Sequence, residues 1–198
     1  MVPALDRAWR WFQALALACS FLAATAVGAS ADGAAAGWEA LKAPGTHVLM
    51  RHAIAPGTGD PEGFTLGDCT TQRNLDRQGK AQAERIGASI REAGITVARV
   101  LTSEWCRARD TAALLGVAPV SAEPALNSFF DDRGAADAAS RAVLDRLAAL
   151  SPGEKLVMVT HQVNITALTG IFPASGEMIV VARAADGTLA VRGRIRLD

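Results

Sequence analysis

Residues 46–52 read Thr46-His47-Val48-Leu49-Met50-Arg51-His52. A short apolar run closed by a guanidinium and an imidazole predicts a buried strand with two polar groups at its carboxyl end. Working outward, residues 55–71 carry Pro56, Gly57, Gly59, Pro61, Gly63 and Gly67 and predict a long loop, of the kind often used for function. Ala83, Ile86, Ile90 and Ala93 recur at helical spacing and predict a helix over 77–93, stopped by Gly94. A second strand is expected over 97–101 and a second helix over 107–115, with Ala108, Ala112 and Leu115 on one face. A third helix over 134–150 runs through Val143, Leu147 and Leu150. Leu156 to Thr160 reads as another buried strand, followed by a short helix over 164–169. Residues 178–183 and 189–196 read as a hairpin around Asp186-Gly187. The alternation predicts an α/β class: a three-layer α/β/α sandwich with a mostly parallel central sheet and an antiparallel C-terminal edge hairpin. Arg192, Arg194 and Arg196 alternate on the last strand and read as the solvated face of an edge.

The first segment differs in kind. Arg7 and Arg10 precede an apolar run from Trp11 to Val27, and Ala29-Ser30-Ala31 supplies small residues for a peptidase. Residues 1–31 therefore read as a signal peptide cleaved after Ala31, with an uncleaved anchor as the alternative. Cys19 has Ala16 three residues before it, where lipoprotein processing favours a larger aliphatic residue, so lipidation is not expected. The expected organisation is a leader over 1–31, a flexible Ala/Gly-rich lead-in over 32–44 and one domain over 45–198, in a periplasmic or secreted protein with no stable membrane insertion after cleavage. The oligomeric state is left open. Cys69 and Cys106 remain after cleavage. An oxidising compartment can bridge such a pair, and two unpaired thiols are the alternative.

The 198 residues are half hydrophobic with zero formal charge. That balance excludes a disordered chain and gives no footprint for nucleic acid. An anionic ligand would need a local cluster of cations. Arg51 and His52 follow the first strand, Ser103 and Arg107 the second, and His161 follows Leu156–Thr160. Open parallel sheets bind ligands outside the carboxyl ends of their strands, so these residues can share one crevice. His47, inside a strand, reads as a bystander. A metal site would ask for more His, Asp or thiolate ligands and fewer arginines. A structural ion-pair cluster would need carboxylates such as Glu104 and Asp110. Paired guanidiniums suit phosphate oxygens.

The ordered set resembles the histidine phosphatase (phosphoglycerate mutase-like) superfamily. Arg51-His52-Ala53 is similar to its opening Arg-His-Gly. Leu75, Gly79, Gln82 and Ala83 resemble the pattern on its first helix, Ser103 to Ala112 its Ser-x-x-x-Arg-Ala-x-x-Thr-Ala motif, and Val157 to His161 its last motif. These matches span residues 46–183. The resemblance implies that His52 is a catalytic nucleophile that becomes phosphorylated, and that Arg51, Arg107 and His161 bind the phosphoryl oxygens, with no cofactor and no metal. Ala53 stands where the family has Gly. The leaving-group acid is not assigned, because Ser128 occupies the usual Glu position after Leu126-Asn127 and Gln162 follows the second His. Asp131, Asp132 and Glu104 are the candidate proton donors. A bridge between Cys69 and Cys106 would tie the long loop to the phosphate pocket.

The expected activity is hydrolysis of a phosphate monoester or phosphoprotein. The stretch between Arg107 and His161 is too short for a large cap domain, and a mutase would need a bisphosphorylated priming cofactor. The alternatives are a catalytically silent phosphoryl-binding module on the same fold and an envelope sugar- or lipid-phosphate phosphatase.

Overall fold

The computed structural model describes residues 25–151 and 153–197, with side chains from residue 33 onward. The chain divides into two units, residues 1–33 and 34–198. The expected leader lies outside the described residues except for 25–31, which are helical. Among the described residues no helix is long and apolar enough to cross a membrane.

The lead-in expected to be loose over 32–44 is instead helical as far as Lys42, in helix α1 (Thr25–Lys42). Its alanines are strong helix formers, which an Ala/Gly count alone disguises as a linker. Leu41 is fully buried and Trp38 packs against the core. Gly37 lies so close to β6 (Leu189–Ile195) that an added Cβ would stand 2.5 Å from the Arg194 carbonyl oxygen.

The other elements follow the expected order, with ends moved by a few residues. They are β1 (Thr46–Arg51), α2 (Arg77–Glu92), β2 (Arg99–Thr102), α3 (Cys106–Leu115), β3 (Val120–Ala122), α4 (Ala136–Ala148), β4 (Leu156–Thr160), α5 (Gln162–Thr169) and β5 (Met178–Arg183). Strand β3 was not expected: its three residues are all exposed, so no apolar pattern marks it. The six strands form one sheet in the order β3-β2-β4-β1-β5-β6. Pairings β3-β2, β2-β4 and β4-β1 are parallel, whereas β1-β5 and β5-β6 are antiparallel. Helices cover both faces. Ile86, Ile90, Ala108 and Leu115 pack with Val48, Val100 and Val157 on one side. Val143, Leu147 and Ile165 pack with Leu49, Leu101 and Met158 on the other. Successive strand residues face opposite layers, so Val48 and Leu49 enter different cores. The three-layer sandwich is thus the observed fold. Arg192, Arg194 and Arg196 are exposed along the edge strand β6, where Arg194 pairs with Glu177 at 2.7 Å.

This topology puts the carboxyl ends of β2, β4 and β1 side by side. Arg51 is in register with Thr160, and the ladder continues as His52 N–H donates to Thr160 O at 3.0 Å and Ser103 N–H to Val159 O at 3.0 Å. His52, His161 and Ser103 therefore leave the sheet as neighbours. Helix α2 seals one side. Asp76 caps it by accepting from Gly79 N–H at 2.7 Å, and any side chain at Gly79 would overlap the Ile54 carbonyl just beyond His52. Gln82 links the adjoining loops, accepting from Ile54 N–H and donating to Ser175 O, both at 3.0 Å.

Candidate active site

His52 is 2% exposed, and its ring orientation is set by its own chain. Nδ1 lies 2.8 Å from the Ala53 carbonyl oxygen, which can only accept, so Nδ1 carries the proton. Nε2 is left with its lone pair, accepts from Arg107 Nε at 3.3 Å and faces a cavity of about 410 Å³. Ala53 is itself held, because its N–H donates to Thr111 Oγ1 at 3.0 Å while that hydroxyl donates to Arg107 O at 2.7 Å. The Arg-x-x-x-Thr spacing on α3 thus anchors the residue that fixes the His52 tautomer.

Arg107 is buried at the start of α3 and reaches three groups. Besides His52, its Nη2 lies 3.4 Å from His161 Nδ1, and its Nη1 donates to both oxygens of Asp60 at 2.8 and 3.1 Å. A guanidinium only donates, so His161 Nδ1 accepts. The His161 proton then sits on Nε2, donated to Ser103 Oγ at 2.8 Å, and Ser103 in turn donates to Asn127 Oδ1 at 3.2 Å. The two imidazole centroids are 5.4 Å apart, edge to face.

Arg51 donates from Nη1 to Pro173 O at 3.0 Å, but its Nε is buried without a hydrogen-bond partner. Arg73, which lines the cavity with Arg51, Arg107 and Arg133, was not expected. It holds the long loop by donating to Gly59 O at 2.7 Å and to Ala55 O. Asp60 was missed as well. Its side chain is 6% exposed, and it accepts from Arg107, from Arg73 N–H at 3.1 Å and from Trp105 Nε1 at 3.1 Å. Neither residue carries a sequence signal, since Asp60 sits in the Gly/Pro-rich loop and Arg73 in the stretch just after it, both without periodicity.

The structure brings Arg51, His52, Arg107 and His161 into one cavity. It separates the three candidate donors. Asp131 is exposed on the cavity wall. Asp132 turns away to cap the next 3₁₀ turn through Gly134 N–H at 3.2 Å, and Glu104 accepts from Asn127 Nδ2 at 2.7 Å, with neither reaching the cavity. Hydrogen bonds outside the cavity claim both carboxylates. Cys69 and Cys106 form a disulfide. It clamps the end of the long loop to the residue preceding Arg107, and Gln72 reinforces the clamp by accepting from Cys106 N–H at 3.0 Å. Among the described residues no cluster of three or more His, Cys, Asp or Glu side chains could hold a metal ion.

Burial, then the guanidinium of Arg107, pushes the His52 imidazolium from 6.5 down to about 3. Burial and the neighbouring His52 and Arg107 hold His161 well below its ordinary value. His47 is remote from the cavity. Burial, with Lys155 beside it, lowers it from 6.5 to about 4. All three imidazoles are therefore neutral in the folded protein at neutral pH. The unfolded chain protonates them near pH 6.5, so their contribution to stability is complete above that value. It is lost progressively as pH falls toward about 4 for His47 and about 3 for His52. The urea midpoint is expected to fall steadily across this window, and a midpoint that stays flat would contradict buried neutral imidazoles.

Residues 48–130 match the family model of the histidine phosphatase superfamily (branch 1). No curated protein sequence matches the chain. Solved structures share the fold. A provisionally assigned phosphohistidine phosphatase SixA from Nakamurella multipartitia is 22% identical, with a TM-score of 0.57 over 78% of this chain and 96% of that one. The protein histidine phosphatase SixA complexed with tungstate is 15% identical, with a TM-score of 0.53 over 76% and 96%. Phosphoserine phosphatase from Entamoeba histolytica, in complex with 3-phosphoglyceric acid, is 16% identical, with a TM-score of 0.53 over 77% and 98%. The family match and these neighbours support the histidine phosphatase superfamily. The span matched to that superfamily contains Arg51, His52, the disulfide and Arg107. His161 lies beyond it and joins the site through the β1-β4 register.

Proposed function

We propose that this protein is a phosphatase that hydrolyses a phosphate monoester, or a phosphoprotein, through a phosphohistidine on His52. The observation that carries the reading is the unprotonated Nε2 of His52, aimed into a cavity walled by the guanidiniums of Arg51, Arg73 and Arg107. The buried, unpartnered Nε of Arg51 adds a donor that a phosphoryl oxygen would satisfy.

In the first displacement Nε2 attacks phosphorus and the P–O bond to the leaving group breaks, its electron pair departing with that oxygen. The phosphoryl group is transferred in a loose transition state, whose charge Arg51 and Arg107 neutralise. His161 Nδ1 accepts from Arg107 in the same cavity, and the negative charge of a phosphoryl group bound beside it would favour a proton on that nitrogen, donated to a phosphoryl oxygen. As Nε2 bonds to phosphorus, the imidazole becomes cationic, and the Ala53 carbonyl accepting from Nδ1 stabilises that charge. Water then cleaves the P–N bond and restores the free imidazole. Export to an oxidising compartment is part of the proposal, supported by the order of residues 1–31 and by the disulfide.

The test uses the purified protein, an aryl phosphate and a chelator, with an alkaline quench. Acid-labile, alkali-stable phosphate on His52 is expected, together with turnover that chelation leaves unchanged. Binding of phosphate with no turnover would instead identify a silent phosphoryl-binding module.

A further inference from the structure

Two of the exposed large apolar side chains stand at the mouth of the His52 cavity. Phe172 is 71% exposed, and Phe130 is 42% exposed. They come from separate segments, Phe172 from the α5–β5 connection and Phe130 from the turn before α4. A third aromatic ring, Trp105, lines the same cavity. Trp105 lies edge-on to His161 at 5.4 Å and leans on Phe64 at 5.7 Å. Arg133 braces Phe130, its guanidinium carbon 5.2 Å from the ring centroid. Exposed aromatic rings cost solvation when free and are repaid by a ligand that covers them. A cavity of about 410 Å³ is of small-molecule size.

The acids of the cavity point the same way. Among the described residues, the acids that line it are Asp60 and Asp131. Both Asp60 oxygens are engaged by Arg107, and one each by Arg73 and Trp105. Asp131 sits on the exposed rim. An aryl oxide, the conjugate base of an acid with pKa of about 10, departs without a positioned acid far more readily than an alkoxide does.

Resting on the phosphatase reading, we propose that Phe130, Phe172 and Trp105 form a leaving-group subsite for a flat aromatic ring, and that the substrate class is a small aryl phosphate. The P–O bond to the ring oxygen breaks as the bond to His52 Nε2 forms. The aryl oxide leaves with the electron pair and takes its proton from water.

Calorimetry with phenylphosphonate and methylphosphonate tests binding without turnover. Phenylphosphonate is expected to bind about tenfold tighter, the equivalent of one aromatic contact with its buried area. Phe172→Ala and Phe130→Ala should each remove most of that preference and leave inorganic phosphate binding unchanged. In parallel, wild-type kcat/KM for phenyl phosphate should exceed that for glycerol phosphate, and Phe172→Ala should narrow the gap through KM. Equal affinities for the two phosphonates, no binding of either, or a loss in the variants that extends equally to inorganic phosphate would overturn the subsite. Phenylphosphonate preference without phosphohistidine would sink the catalytic reading alone. Phosphohistidine without the preference would sink the subsite alone.

Discussion

His52→Ala is expected to lower kcat for an aryl phosphate by about 10⁴-fold or more and to abolish the acid-labile phosphoenzyme. The size follows from the geometry. His52 lines the cavity with the Nε2 lone pair directed by a protonated Nδ1. Truncation also removes the acceptor for Arg107 Nε, so thermal melting should accompany the kinetics to separate lost chemistry from lost structure. A variant that melts like the parent yet keeps a tenth of its turnover would remove His52 as the nucleophile.

The second large effect is on stability. Reducing the Cys69–Cys106 bridge, or replacing both residues with alanine, is expected to cost about 4 kcal/mol, the chain-entropy value for a closed loop of this length. The bridge spans 37 positions. For a domain of this size that loss corresponds to roughly 8–16 °C in Tm. Asp60 and Arg73 lie on either side of the bridged Cys69, and they hold Arg107 and one cavity wall. KM should therefore rise under reducing conditions, at temperatures where the protein is still folded. Calorimetric scans with and without reductant check the first effect and initial rates the second. Identical melting in both states would mean that the loop is held without the bridge.

Much of this molecule was legible because its signals are local. Arg51-His52 and His161 each end an apolar run, and the rule that ligands sit outside strand carboxyl ends places them in one crevice. Arg107 was legible for the same reason, one turn beyond β2. The helical character of 32–42 was not, since an Ala/Gly-rich stretch reads equally as linker or helix until Trp38 and Leu41 find a surface to cover. Strand β3 was silent because none of its residues is buried.

The residue order by itself thus determined the α/β alternation, the antiparallel C-terminal hairpin and the four-residue cradle of Arg51, His52, Arg107 and His161. Only the tertiary structure decided what surrounds that cradle. It put both carboxylate oxygens of Asp60, 47 positions from Arg107, against one guanidinium nitrogen. It also turned Glu104 onto Asn127 and Asp132 onto Gly134, and brought Phe130, Phe172 and Trp105 into one cavity lining. The physical reason is that backbone periodicity is written in neighbouring residues. The partner of a loop side chain is set by how separate strands dock, and no local spacing encodes that.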